Sequence, residues 1–402
     1  MPNLMKARLI IETLFSHWEK NEITLLIGAR QTGKTTLLKD IQSRLDKQGE
    51  PTAFFNLEDK TFLEAFNIHP KNLFQFIPLP VNGNRVTVFI DEIQYLADPS
   101  NFLKLLYDEY VGRLKLVVSG SSNFYIDEKF GDSLAGRKQI FHLPTMSFRE
   151  FLYFKQFDTL KDLVHSGSFP RLHEADLLAL FAEHLIWGGY PQVVLAPNAK
   201  EKQSKLRELA TAYVKKDIQD ASIKHPDAYR QIMQITARQI GGLVNPNTIG
   251  KHLGLHQMTV DAYLLIMQKS FHVSLIPPYF KNTTTELRKM RKVYYQDHGL
   301  RNYFINDFSP LPLREDRGEL LENYVFRLFS DHFDDWDIRF WRTQKRLEVD
   351  FIIEGKRAYE VKYSESQFKS NKYQFFKNKY PNIPIELIHF NNVLKFNPGE
   401  KY

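Results

Sequence analysis

An apolar run, Ile23–Ile27, breaks into Gly28-Ala29-Arg30-Gln31-Thr32-Gly33-Lys34-Thr35, and a helical pattern sets in from Lys34. This GxxxxGK[ST] spacing between a strand and a helix restricts the fold more than any other feature of the chain. Its glycines let backbone N–H groups turn inward around a phosphate, and the following helix N-terminus favours the anion. Lys34 places a positive charge over the β/γ oxygens, and the Thr35 hydroxyl is a Mg²⁺ ligand. Gly28, Ala29, Arg30, Gln31, Thr32, Gly33, Lys34, Thr35 and Thr36 are therefore the expected nucleotide-binding residues, with ATP and Mg²⁺ as cofactors.

A second apolar run, Val86–Ile90, ends in Asp91-Glu92. Asp91 is expected to organise the Mg²⁺ shell with Thr35, and Glu92 to orient or deprotonate the attacking water. A loop that only binds needs the first acid but not the second, so Glu92 is the residue that points to hydrolysis. Leu116–Val118 leads into Ser119-Gly120-Ser121-Ser122-Asn123. Either Ser121 or Asn123 suits a hydrogen bond to the γ-phosphate or the lytic water; turn chemistry is the other reading. Arg137 suits an arginine finger acting in a neighbouring subunit of a homo-oligomer, with a plain surface arginine as the alternative.

The chain has 402 residues, enough for two to four domains. Runs at Ile23–Ile27, 52–57, Val86–Ile90, 114–118 and 139–143 alternate with longer periodic segments, which predicts a five-stranded parallel α/β domain over 1–145. Helical periodicity fills 146–220. Within 221–308 a helix pair, 247–253 and 259–268, flanks a tight turn at Gly254 with helix-turn-helix spacing, and strands at 271–276 and 292–296 suggest a wing. Pro310 and Pro312 mark a linker, after which 309–402 reads as helix 319–333, strands 338–343, 348–353 and 357–363, helix 365–380 and strand 385–390.

The absence of cysteine excludes disulfides, Cys-ligated zinc and iron–sulfur clusters, and agrees with a reducing cytoplasm. Residues 1–18 read as an amphipathic helix, not a signal peptide, and no run reaches the ~18 apolar residues of a membrane span. A formal charge of +7 permits nucleic acid or anionic lipid as a partner.

The stretches GARQTGKTTLL, FFNLED, VFIDEIQ, VVSGSSN, LAGR, SFREF, GGYPQVV, YYQDHGLR, EVDFII and EVKYS run in order from Ile23 to Ser364. On them the chain resembles the AAA+-like bacterial and archaeal ATPases that carry a C-terminal DUF4143 region. The resemblance implies an additional-strand P-loop core, a helical lid, a winged-helix-like segment and a nuclease-like C-terminal fold. It also makes the LAGR arginine, Arg137, a better candidate for nucleotide sensing or trans-activation.

Asp350 and Glu360-Val361-Lys362 stand on successive predicted strands, the PD-(D/E)xK pattern of metal nucleases. Alternate strand residues face one side, so Glu360 and Lys362 point together. Asp350 and Glu360 would share one Mg²⁺, Lys362 would position the nucleophile, and Glu322 would complete the shell. A solvated strand face is the competing reading. Lys281, Arg288, Lys289, Arg291 and Lys292 read as a phosphate-contacting wing, and Lys369, Lys372, Lys377 and Lys379 as a second basic stripe. The 259–268 helix carries no Arg or Lys, so any DNA contact should fall on the backbone, and a winged helix used only for domain packing is the competing reading. The expected activity is ATP hydrolysis coupled to a macromolecular partner, DNA foremost. The rival readings are an ATP-gated nuclease and a slow nucleotide switch on a protein partner.

Overall fold

The computed structural model describes residues 8–78, 85–121, 134–167, 170–279 and 290–398. The chain forms two compact units, Met1–Thr145 with Lys269–Phe271, and Met146–Gln268 with His272–Tyr402.

In the first unit α1 (Ile11–Ser16) precedes β1 (Ile23–Ile27), α2 (Lys34–Lys47), β2 (Thr52–Asn56) and α3 (Lys60–Ile68). Then follow β3 (Val86–Asp91), α4 (Pro99–Tyr110), β4 (Leu114–Gly120) and β5 (Lys138–His142). The five strands pair parallel in the order β2-β3-β4-β1-β5. β4 is thus inserted between β1 and β3, the additional-strand arrangement the resemblance implied. Every residue of β1, β3 and β4 is buried, because helices cover both faces of a parallel sheet. Ile27 pairs with Gly120 and His142, and Asn56 with Asp91. The carboxyl ends of the strands therefore line one edge, where ligands of open α/β sheets bind. The described N-terminal helix is shorter than residues 1–18 suggested; Met1 to Ala7 lie outside the described residues.

The second unit opens with α5 (Phe148–Phe154), α6 (Asp158–Ser166), α7 (Glu174–Trp187), α8 (Pro191–Val194), α9 (Ala199–Asp220) and α10 (Pro226–Arg238). β6 (Leu243–Val244), α11 (Pro246–Leu253), α12 (Gln257–Lys269), β7 (Val273–Ile276) and β8 (Arg291–Tyr295) follow. Gly254 closes α11 in the left-handed region, φ 66°, so the expected helix pair forms. An antiparallel sheet β6-β8-β7 packs beside it. α13 (His298–Ile305) and α14 (Arg317–Ser330) lead to β9 (Ile338–Arg342), β10 (Glu348–Ile353), β11 (Arg357–Lys362), α15 (Gln374–Lys379) and β12 (Ile385–His389), in the sheet order β12-β11-β10-β9.

One apolar core runs through most of these elements: Phe181, Tyr213, Met233, Leu264, Tyr294, Phe326 and Phe351 belong to it, while Phe376 of α15 packs with Trp341 and Tyr380 in a smaller cluster. The Gly-Gly turn after α7 meets the start of α13. Gly189 N–H donates to Asp297 at 2.8 Å, and a Cβ on Gly299 would lie 2.0 Å from Trp187 O. Two stretches quoted for the resemblance, GGYPQVV and YYQDHGLR, are thereby a single joint.

The helix expected over 365–380 does not form as one piece. Ser364 and Gln367 cap a single 3-10 turn, Phe368 is extended, a second 3-10 turn spans Ser370–Tyr373, and only α15 is α-helical. The break lets Phe368 stack on Tyr373, ring centroids 5.1 Å apart.

Candidate nucleotide site

The loop between β1 and α2 can adopt its path only with glycine at its ends. A Cβ on Gly28 would stand 2.2 Å from Leu143 O, and Gly33 caps α2 at φ 97°. Within the loop Thr32 Oγ1 donates to Ala29 O at 2.9 Å. Lys34 folds back so that Nζ donates to Gly28 O and Ala29 O at 2.9 and 2.8 Å. Burial lowers the Lys34 ammonium to about 8, with Glu92 and then Asp91 opposing the loss of its charge. Arg8, which the sequence reading passed over, fastens the loop from outside. Its guanidinium donates to Thr32 O and Pro144 O, both at 2.8 Å.

The acids at the end of β3 arrive beside Thr35. Thr35 Oγ1 donates to Asp91 Oδ2 at 2.6 Å. Ser119, at the end of β4, donates to the other Asp91 oxygen and accepts the Glu92 N–H at 3.2 Å. Glu92 itself sits at φ 59°, a left-handed conformation that a non-glycine residue keeps only where its surroundings enforce it. Its Oε2 accepts from Ser121 Oγ at 3.0 Å and from Gln94 Nε2, and Gln94 Nε2 also reaches Ser121 Oγ at 3.1 Å.

Gly28, Ala29, Lys34, Thr35, Asp91, Glu92 and Ser121 thus converge on one sheet edge. Arg30 is half-buried, while Gln31 and Thr36 are exposed. Ser119 and Gln94 were missed as partners, although VVSGSSN and VFIDEIQ contain them. Asn123 lies outside the described residues.

Arg137 is not brought to this edge. Ile23 N–H donates to Arg137 O at 2.7 Å. That places Arg137 at the amino end of β1, about 16 Å along a five-residue strand from Gly28. Its guanidinium pairs with Asp108 at 2.7 and 3.2 Å.

The set fits a nucleotide phosphate with Mg²⁺. The loop is a glycine-shaped cradle closed by a buried ammonium, and Thr35 and Asp91 present adjacent oxygens. Mg²⁺ takes few protein ligands when phosphates and waters supply the rest.

In the second unit Asp350 lies on β10 and Glu360 and Lys362 on β11, which pair antiparallel. Lys362 bonds Glu360 and stands 3.6 Å from Asp350. Glu322 reaches the same cluster from α14, bonded by Lys292 Nζ at 2.9 Å and by the Tyr294 hydroxyl at 2.6 Å. All four expected residues meet, and so do two that were not expected there. One is Glu348. The other is Lys292, assigned to the wing from the sequence, whose side chain is 1% exposed. Lys292 is therefore no phosphate contact. Arg291 is exposed, whereas Lys281, Arg288 and Lys289 lie outside the described residues. Lys369, Lys372, Lys377 and Lys379 are exposed.

Strand order, loop and strand-end acids together define an AAA-type P-loop NTPase fold. An AAA domain family matches residues 20–152, DUF8612 matches 178–311 and DUF4143 matches 317–396. The chain combines the AAA domain with DUF4143, the pairing on which the sequence resemblance rests. An uncharacterized protein of Methanocaldococcus jannaschii is 25% identical over 96% of this chain and 86% of its own length. One of Haemophilus influenzae is 24% identical over 89% and 86%. AMPPCP-bound DnaA of Aquifex aeolicus aligns over 64% of this chain and 85% of its own at 14% identity, with a TM-score of 0.29, too low to bear on the fold. Among the described residues no helix is long and apolar enough to cross a membrane.

Proposed function

We propose that this chain is a Mg²⁺-dependent ATP hydrolase whose nucleotide cycle drives or switches action on a macromolecular partner. One observation carries the reading: Lys34, Thr35, Asp91 and Glu92 stand together on the carboxyl edge of the sheet, linked through Ser119 and Ser121. Bound Mg²⁺ neutralises charge on the transferring phosphate. The chain's own groups do the rest. Lys34 and the loop N–H groups hold the phosphates. Thr35 and Asp91 fix the metal's protein side. Glu92, oriented by Ser121 and Gln94, accepts the proton of the attacking water. Arg137 has no part in its own subunit's site; in a homo-oligomer it is the arginine presented to a neighbour.

We assign DNA as the first partner, held through its backbone. The basic balance and the exposed lysines around α15 support this. The exposed face of α12 presents Gln257, Met258, Asp261, Ala262 and Leu265, with no cation to read a base edge. That face favours a second reading, a nucleotide switch on a protein partner, because Met258 is 83% and Leu265 50% exposed.

The steady-state ATPase rate with and without duplex or single-stranded DNA separates the two, with Lys34→Ala as the blank. A salt-sensitive rise with DNA is expected. A basal rate that DNA leaves unchanged transfers the assignment to a protein partner. A Lys34→Ala rate equal to wild type overturns the nucleotide site itself.

A further inference from the structure

A metal nuclease centre needs a divalent cation between Asp350 and Glu360. The side chains gathered there do not fit one. Lys292 Nζ lies 2.6 Å from Glu348 Oε1, 2.9 Å from Glu322 Oε1 and 3.5 Å from Asp350 Oδ1. Asp350 Oδ2 faces Lys362 and accepts the Val361 N–H at 2.9 Å. The far oxygen of Glu348 accepts from Arg342 at 2.7 Å. Four carboxylates thus face three cations of the chain itself. A Mg²⁺ or Mn²⁺ ion bonds oxygen at roughly 2.0–2.2 Å. Bound to these oxygens, it would crowd a buried ammonium of like charge. Among the described residues no three His, Asp or Glu side chains are placed to hold a metal ion.

Lys292 is also held in place. Its strand is flanked by β6 and β7, with Lys292 opposite Leu243 and Ile276, and its ammonium lies 5.6 Å from the centre of the Phe340 ring. A main-chain bridge between Pro278 and Phe340 ties the same two sheets together.

We propose that Lys292 supplies from β8 the cation that a metal would supply in such a centre. The centre is then a metal-free salt lock between β8 and the β9–β12 sheet, and it cuts no nucleic acid. This stands independently of the ATPase reading, since its residues lie in the other unit and Asp91→Asn in the test sets aside any metal held at the nucleotide site.

The test is Mn²⁺ binding to the full chain without nucleotide, followed by electron paramagnetic resonance, together with Mn²⁺-dependent nicking of supercoiled plasmid. Wild type is expected to show no Mn²⁺ site and no nicking that Asp350→Asn removes. Lys292→Met is expected to gain one Mn²⁺ site, lost again when Asp350→Asn is added. A wild-type site or nicking activity that survives Asp91→Asn and disappears in Asp350→Asn would overturn the proposal. So would a folded Lys292→Met variant that gains no site. Should Lys292→Met fail to fold, wild type against Asp350→Asn decides alone.

Discussion

Glu92 and its neighbour Asp91 end the same strand yet meet different surroundings. Asp91 is gripped on both oxygens, by Thr35 and Ser119, which suits a fixed metal ligand. Glu92 is aimed by a left-handed backbone and bonded by donors on one oxygen, Oε2. Replacing it by Gln keeps the shape and removes the proton acceptor. Glu92→Gln is expected to bind Mg²⁺–ATP as wild type does and to lose roughly 100-fold or more in kcat. Equilibrium binding of a fluorescent ATP analogue beside steady-state turnover checks this, and near-wild-type turnover would assign the base elsewhere. Lys34→Ala acts on the other quantity. Losing charge-assisted hydrogen bonds worth up to ~3 kcal/mol weakens ATP binding by roughly 100-fold.

Among elements, α7 and the start of α13 bury two histidines side by side, His184 and His298, ring centroids 6.5 Å apart. Each Nε2 faces a main-chain carbonyl, of Met146 and Leu320 respectively, so it carries the proton of a neutral ring. Burial pushes His184 down to about 4 and His298 to about 3. As pH falls through the ordinary imidazole value, the unfolded chain takes up protons that the folded chain refuses until those lower values. The contribution of the two neutral histidines to the second unit is therefore full above about pH 6.5. Below it, each histidine removes up to ~1.4 kcal/mol per pH unit. Between about pH 7 and about pH 5 the urea midpoint of wild type should fall relative to that of His184→Gln; a difference that stays constant over this range refutes the attribution.

The elements were legible in the sequence to the degree that their signals were local. The strands of the parallel sheet are unbroken apolar runs because both faces are covered, and the strand boundaries emerged nearly as read. Gly28 to Thr35 and Asp91-Glu92 are contiguous motifs and were equally plain. Arg8 was not, since its partners Thr32 and Pro144 are far along the chain. Lys292 was misread because a basic run suggests solvent, whereas four successive residues of β8 are buried, Lys292 among them. The segment 365–380 has helical spacing, yet the turn that the Ser364–Gln367 capping box starts is a single 3-10 turn ended by the extended Phe368, and the Phe368–Tyr373 stack holds the break.

At the scale of the whole molecule, the second unit has no seam at the prolines near 310. Tyr294 of β8 stacks on Phe326 of α14, centroids 4.6 Å apart, and also packs on Phe351 of β10. A chain ended after residue 308 is expected to keep ATP binding in the first unit and to lose the cooperative melting of what remains of the second. Calorimetry alongside nucleotide binding measures both; a truncated chain that retains the second transition contradicts the shared core.

The two sequence families that cover this unit divide at 311–317, which leaves the ammonium of Lys292 in one and the acids Glu322, Glu348 and Asp350 in the other. In evolutionary terms the two segments are not interchangeable parts. Recombination at that boundary would hand one descendant a lysine without its acids and another the acids without their lysine.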